Sequence, residues 1–130
     1  MLLHGEGSLL IFDEVKTGFT TGPGGVTALS GVVPDMVCLA KALGGGIAVA
    51  AIGGTETVMS AIADGRYEQV GTFNGNPLAM AATRANLTNV LTPQAYAHLD
   101  GLATRLRASL EATIAEHGFE WYVVTAGAKG

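Results

Sequence analysis

Residues 8–14 read Ser-Leu-Leu-Ile-Phe-Asp-Glu, a short apolar run that ends in two acidic residues. A continuous apolar run of this length predicts a buried strand, here with acids at its carboxyl end. Residues 36–41 read Met-Val-Cys-Leu-Ala-Lys and repeat the pattern, except that a lysine closes the run. The two stretches predict two strands of one sheet whose carboxyl ends carry Asp13 and Lys41.

The remaining pattern alternates strands with helices. Apolar runs predict further strands at residues 47–52 and 119–125. Thr55, Asn76 and Thr92 are predicted N-caps, and a proline follows each of the last two. Because strands alternate with helices along the chain, the sequence predicts an α/β fold with a largely parallel sheet.

The helix that starts at Pro93 is predicted to be amphipathic. Its apolar residues recur every three or four positions, which is the spacing of one helical face. These residues are Leu99, Leu102, Leu106, Leu110 and Ile114. Gly118 is the predicted C-terminal stop of this helix.

Composition restricts the function classes. The chain has 130 residues, with 7 Lys and Arg against 11 Asp and Glu, so its formal charge is −4. That balance argues against binding to nucleic acid or to an anionic membrane surface, since both need a basic face. Only 14% of residues are charged and 19 are glycine, which suggests an inner piece of a larger protein. The single cysteine, Cys38, forms no disulfide framework and favours the cytosol.

Lys41 is the first candidate for chemistry. It follows an apolar strand and precedes Gly44, Gly45 and Gly46, and sites in α/β sheets form at the carboxyl ends of strands. A partly desolvated lysine there could form a Schiff base, and the glycines would let a flat cofactor approach the backbone. The alternative is a surface lysine that caps a strand in a glycine turn.

Asp13 is the second candidate. A carboxylate at a strand end could hold the protonated pyridine nitrogen of pyridoxal phosphate (PLP), which PLP needs to act as an electron sink. The alternative is an acid that caps the next turn or pairs with a basic residue. Asp13 and Lys41 at the same end of adjacent strands would meet one heterocycle from different sides.

The loop that contains Gly71 and Thr72 is the third candidate. Thr72 offers a hydroxyl group and the glycines expose N–H groups just before a helix begins, which suits a phosphate. The alternative is a simple capping loop, in which Asn76 satisfies the first N–H groups of the helix.

Other motifs do not support a function. The chain contains neither the GxGxxG dinucleotide pattern nor the P-loop pattern, and its histidines lack metal-ligand spacing, so no metal site is predicted. Asn86-Leu87-Thr88 fits the glycosylation pattern but lies inside a predicted helix. No apolar run reaches the ~18 residues of a membrane span.

Taken together, these motifs resemble the class III aminotransferases, and within that family the glutamate-1-semialdehyde 2,1-aminomutase group. The resemblance covers essentially the whole chain. It rests on the order and spacing of five segments, namely residues 9–19, Pro34-Asp35, Lys41 with Gly44-Gly45-Gly46, Gly53-Gly54, and residues 71–79.

The resemblance implies a fold type I PLP enzyme that works as a homodimer on small-molecule amino donors and acceptors. Lys41 would be the Schiff-base lysine and would move protons. Asp13 would hold the pyridinium N–H, and Val15 would pack on one face of the ring. Thr72, in the loop with Gly71, would bind the cofactor phosphate of the neighbouring subunit.

The resemblance also predicts how the chain is divided. Residues 1–92 would be part of the PLP-binding large domain, and residues 93–130 the linker helix and first strand of a truncated small C-terminal domain. Two hypotheses follow. The first is amino-group transfer, either between molecules or within glutamate semialdehyde, and the second is a catalytically inactive fragment of such an enzyme.

Overall fold

The computed structural model describes residues 5–127, which form a small sheet surrounded by helices. The strands are β1 (Ile11–Glu14), β2 (Met36–Leu39) and β3 (Ala51–Gly54). The α-helices are α1 (Gly25–Ser30), α2 (Glu56–Ala63), α3 (Pro77–Ala85) and α4 (Pro93–His117). A 3-10 turn at Lys41–Gly44 follows β2, and a π-helical segment at Asn86–Val90 continues α3.

The sheet has the order β1-β2-β3. β1 and β2 are parallel, with Glu14 opposite Leu39, as the sequence predicts. β3 lies at residues 51–54 rather than 47–52 and runs antiparallel to β2, so the parallel prediction holds for one of the two pairings. The reason is the connection between β2 and β3, which is too short for the crossover that a parallel pair needs.

Asp35 joins the three strands at the end of the sheet that lies away from Lys41. Its Oδ2 atom accepts a hydrogen bond from the Leu10 N–H at 2.8 Å, and its own N–H donates to the Leu10 carbonyl at 2.8 Å. Its carbonyl accepts from the Thr55 N–H at 3.0 Å. These bonds fix where β1 and β2 begin and where β3 ends.

The predicted helix caps are largely confirmed. Asn76 accepts a hydrogen bond from the Ala79 N–H at 2.9 Å, and Thr92 accepts one from the Ala95 N–H at 3.2 Å. Gly118 ends α4 in the left-handed conformation, with φ +66°. Thr55 occupies the N-cap position of α2, but its side chain makes no capping bond.

Replacing Asn76 with alanine should lower the free energy of unfolding by about 1 kcal/mol, because the Ala79 N–H then loses its acceptor. Urea denaturation measures this loss. The control is Asn89→Ala, an exposed asparagine outside this loop, which should change stability by less than about 0.5 kcal/mol. Equal losses in the two variants would contradict the capping role of Asn76.

The core of the described residues surrounds the 3-10 turn. Leu43 in that turn is 5% exposed and Ala79 in α3 is 2% exposed. The turn packs against α3 and against the π-helical segment, and Tyr96 of α4 is also buried. The best-packed part of the chain is therefore the part that follows Lys41.

The predicted strand at residues 119–125 is wrong. That segment has no strand structure, and only an isolated bridge forms at Ala126. Its side chains are mostly exposed, with Trp121 at 69% and Tyr122 at 86%. A strand needs a neighbour to pair with its N–H and C=O groups, and no described strand runs beside this segment.

The apolar face of α4 is regular but not buried among residues 5–127. Leu99, Leu102, Leu106 and Leu110 are between 37% and 54% exposed. Cys38, in the predicted buried strand at residues 36–41, is of intermediate exposure. The periodicity therefore predicted the helix correctly, while the apolar contacts expected of its leucine face do not form within the described chain.

Candidate cofactor site

The register of β1 and β2 places two candidate residues at one edge of the sheet. Asp13 lies opposite Cys38, and Glu14 lies opposite Leu39 at the ends of the two parallel strands. Lys41 follows Leu39 by two residues. Asp13 and Lys41 therefore stand at the carboxyl ends of adjacent strands, which confirms the placement expected from the sequence.

The backbone at Lys41 is unusual. Its φ angle of +49° makes it the one non-glycine residue with a positive φ among those described. It opens the 3-10 turn, which Gly45 closes with φ +58°, and its side chain is exposed. Left-handed backbone at a bulky residue is costly and is concentrated at functional sites. The turn that carries the Lys41 amine at the sheet edge therefore has a backbone conformation that glycine alone adopts easily.

Asp13 makes the local bond that the turn-capping alternative predicts. Its Oδ1 atom accepts a hydrogen bond from the Val15 N–H at 3.1 Å. The carboxylate is nevertheless exposed at the sheet edge. A capped, exposed carboxylate is held in one orientation and can still accept a hydrogen bond from a ligand.

Glu14 has a role that the sequence analysis missed. Its side chain is buried, and its carboxylate accepts from the Val26 N–H at 2.7 Å, the Thr27 N–H at 3.1 Å and the Thr27 hydroxyl at 3.2 Å. Burial raises the pKa of this carboxyl, but the hydrogen bonds from Val26 and Thr27 lower it by more, so its pKa lies below 4.5. Glu14 therefore caps α1 from a distance.

The alternation of side chains along β1 contains a signal for the capping role of Glu14. Successive side chains point to opposite faces, so Asp13 and Glu14 cannot serve the same site. The helix α1 begins after Gly24, which has no side chain to cap it. Because α1 lacks a local cap and Glu14 points to the face opposite Asp13, the contact between Glu14 and the start of α1 could have been predicted.

Asn86 is the second residue that the sequence analysis missed. It is 6% exposed, and its Nδ2 atom donates to the carbonyl oxygens of Ala42 and Leu43. Burial places this side chain away from the surface, so it does not act as the exposed acceptor that the glycosylation pattern would require. It instead joins the π-helical segment to the turn after Lys41.

The loop with Gly71 and Thr72 is exposed, and its hydrogen bonds are to itself and to the neighbouring Gln69, to which the Asn74 Nδ2 atom donates at 3.1 Å. The Asn74 N–H donates to the Gly71 carbonyl at 3.0 Å, and Asn76 donates to the Phe73 carbonyl at 3.0 Å. Within residues 5–127, no recorded contact joins Gly71 or Thr72 to Asp13 or Lys41. The chain brings the strand-end pair together but leaves the predicted phosphate loop apart from it.

A cleft of about 540 Å³ lies between β3, α2 and the start of α3. Its apolar lining includes Ile52, Met59, Phe73 and Met80. Neither Lys41 nor Asp13 lines it, so this cleft is not the candidate site itself.

The candidate residues are of the types that hold PLP. An exposed primary amine on a constrained turn and an oriented carboxylate lie at the same sheet edge, and such groups can bind the aldehyde and the ring nitrogen of that cofactor. Within residues 5–127, no three His, Cys, Asp or Glu side chains gather as metal ligands would. In the same range, no helix has both the length and the apolar composition needed to cross a membrane.

A lysine and an aspartate at the carboxyl ends of adjacent strands are the pair of residue types that PLP-dependent enzymes use to hold their cofactor. The model of the class III aminotransferase family matches residues 2–127, and the chain belongs to that family. The chain is 42% identical over 121 residues to a glutamate-1-semialdehyde 2,1-aminomutase from Akkermansia muciniphila, covering 92% of this chain and 28% of the relative. It is 45% identical over 127 residues to the aminomutase from Thermomicrobium roseum, covering 97% and 30%.

Solved structures agree with these relatives. An omega-transaminase from Sphaerobacter thermophilus superimposes with a TM-score of 0.88 at 36% identity, covering 97% of this chain and 29% of that one. A transaminase with PLP bound gives a TM-score of 0.88 at 29% identity, covering 95% and 30%. The chain thus has the fold of part of a fold type I enzyme, and it spans about 30% of its relatives' length.

Proposed function

We propose that the protein to which this chain belongs catalyses PLP-dependent amino-group transfer and that Lys41 is the amine that binds the cofactor. The observation that carries the proposal is the position of Lys41, in left-handed backbone just after β2, at the sheet edge that also holds Asp13. The aminomutases and transaminases that resemble the chain support the same chemistry.

Each candidate residue takes one task in this proposal. Asp13, oriented by the Val15 N–H, accepts the hydrogen bond of the protonated ring nitrogen. When bound, PLP supplies the electron sink for the reaction. Val15 packs on one face of the ring, and Lys41 Nζ moves the proton at the substrate carbon.

Gly71 and Thr72 would bind the cofactor phosphate of the neighbouring subunit, which makes a homodimer part of the proposal. Support comes from their exposure and from their position just before the N-terminus of α3. Exposed N–H groups before a helix N-terminus suit an anion that arrives from outside the chain.

The substrate would be a small molecule that donates or accepts an amino group. The relatives named aminomutases favour glutamate 1-semialdehyde, whose amino group would move within one molecule. Turnover of that compound, compared with turnover of an amine together with pyruvate, separates the two chemistries. Conversion of only the second pair would exclude the aminomutase and leave the transaminase.

The proposed division places residues 1–92 in the PLP-binding large domain and residues 93–130 at the start of the small domain. Support comes from Thr92, whose side chain caps the start of α4. We further propose a cytosolic location, for which the single free cysteine is the support.

The decisive experiment is covalent trapping. The purified chain is mixed with PLP, reduced with borohydride and digested, and the added mass is located by peptide mass spectrometry. We expect the label at Lys41 and its complete loss in Lys41→Ala. Lys16→Ala is the control, since Lys16 is also an exposed lysine but lies on the loop after β1.

Two results would count against a functional site in this chain. A label spread over Lys16, Lys41 and Lys129, of which Lys129 lies outside the described residues, would mean that no lysine is singled out. No label at all would favour the catalytically inactive fragment.

A further inference from the structure

The turn after β2 holds Lys41 in a backbone conformation that a lysine does not choose by itself. A left-handed conformation costs an L-residue about 1 to 2 kcal/mol, and it persists only where surrounding contacts determine it. The turn's own bonds are modest ones, from the Leu43 N–H to the Ala40 carbonyl at 3.0 Å and from the Gly45 N–H to the Ala42 carbonyl at 3.3 Å. Something outside the turn must add to them.

Asn86 supplies that contact. Its Nδ2 atom donates to the Ala42 carbonyl and, at 3.1 Å, to the Leu43 carbonyl. These carbonyls belong to the two residues that directly follow Lys41. Because Asn86 is 6% exposed, water does not readily replace either bond, and losing them leaves buried polar groups unpaired.

The surroundings of Asn86 are shaped for this contact. Asn86 begins the π-helical segment, and its carbonyl accepts the wide-turn bond from the Leu91 N–H at 2.9 Å. On the other side lies Gly45, where an added Cβ would stand 3.2 Å from both Cγ and Oδ1 of Asn86. The turn therefore approaches the Asn86 amide closely at Gly45, which has no side chain. Single π-helical turns, such as the one that begins at Asn86, are frequent at functional sites.

We propose that Asn86 is a positioning residue for Lys41, acting through the carbonyls of Ala42 and Leu43 rather than through contact with the cofactor. This inference rests on the proposed function of Lys41. It requires an amide and no other group of the same shape, since only the NH₂ group offers two donors to two carbonyls. A carboxylate in its place would set an oxygen against both carbonyl oxygens.

The test compares Asn86→Asp, Asn86→Ala and Asn86→Ser in the full chain, with Asn89→Ala as the matched control. Asn89 lies in the same segment and is exposed. Hydrogen exchange is measured at the amides of Leu43, Gly45 and Ile47, which make the bonds of the turn. We expect exchange there to rise about tenfold or more in Asn86→Asp and Asn86→Ala, less in Asn86→Ser, and not in Asn89→Ala.

The second readout is the share of the borohydride-trapped PLP label carried by Lys41 relative to Lys16 and Lys129. We expect this share to fall in Asn86→Asp and Asn86→Ala while exchange in β1, β2 and α4 stays unchanged. A residue that only stabilises the whole chain would raise exchange everywhere, and that result would overturn the proposal. Two other results would also overturn it. One is an unchanged share of the label at Lys41 although exchange in the turn has risen, and the other is loss of the fold in all three variants.

The two proposals fail separately. If the wild-type chain shows no preference for Lys41, the proposal of a functional site in this chain fails, whereas faster exchange confined to the turn would still show that Asn86 fixes its backbone. If Lys41 is preferred but the Asn86 variants leave the turn unchanged, the proposed function stands and the positioning role is overturned.

Discussion

Replacing Glu14 with alanine should lower the free energy of unfolding by about 3 kcal/mol. The carboxylate accepts hydrogen bonds from two N–H groups and one hydroxyl group at the start of α1, and its own side chain is 3% exposed. Its removal leaves those donors partly buried without an acceptor, at about 1 to 3 kcal/mol for each group that water does not reach. The N-cap residue of α1 is Gly24, which has no side chain to cap the helix, so nothing local replaces the bond.

Urea denaturation at neutral pH measures this effect, and Glu68→Ala is the matched control. Glu68 is an exposed glutamate outside the helices and strands, so its loss should change stability by less than about 0.5 kcal/mol. Circular dichroism on the same samples reports the helix content lost with α1. A loss of stability in Glu14→Ala no larger than in the control would contradict the capping role.

The pH dependence of stability, compared between the wild-type chain and Glu14→Ala, should show that the Glu14 carboxylate is charged in the folded chain. Its pKa is lower in the folded chain than its usual value of 4.5, because its hydrogen bonds outweigh its burial. A lowered folded pKa gives stability that is present above the usual pKa and is lost as the pH falls through the folded pKa. The wild-type chain should therefore lose more stability than Glu14→Ala as the pH is lowered below about 4.5.

The sheet edge could be predicted because its signals are local. An apolar run that ends in a charged residue indicates a strand and the position of its carboxyl end in one short stretch. That is why the adjacent positions of Asp13 and Lys41 are confirmed by the register. The caps at Asn76 and Thr92 were predictable for the same reason, since each cap contacts a residue only three positions away.

The partners of Glu14 and Asn86 could not be predicted in that way. Glu14 contacts a helix that starts eleven residues further along the chain, and Asn86 contacts a turn more than forty residues earlier. Neither separation leaves a periodic signal. The left-handed conformation of Lys41 was hidden likewise, because glycine is the residue that marks such a conformation in a sequence.

The segment at residues 119–125 shows the opposite error. Its apolar run has the composition of a strand, and Phe119 stacks on Trp121 with ring centroids 4.7 Å apart, as neighbours on one face do. Pattern fixes the face that each side chain takes, but a strand also requires hydrogen-bonding neighbours on its edges. No described strand provides them, so the segment remains irregular.

Replacing Gly25 with alanine should lower the free energy of unfolding by about 3 kcal/mol, by a mechanism that involves Glu14. Gly25 has φ +61°, and an added Cβ would overlap the Glu14 carboxylate, lying 2.8 Å from its Cδ atom. The substitution therefore adds backbone strain of about 1 kcal/mol and displaces the carboxylate from the N–H groups of α1. Gly65→Ala is the control for strain alone, because Gly65 has φ +70° and no atom within 4 Å of an added Cβ.

The double variant Gly25→Ala with Glu14→Ala separates the two contributions. With the carboxylate gone, the added methyl group has room, and only the strain of the left-handed backbone remains. The double variant should then be about 2 kcal/mol more stable than the sum of the two single losses predicts, and Gly65→Ala with Glu14→Ala should be additive. Additive losses at Gly25 would mean that the added methyl group destabilises the chain without displacing the Glu14 carboxylate. The mechanism assigned to Gly25→Ala would then be wrong.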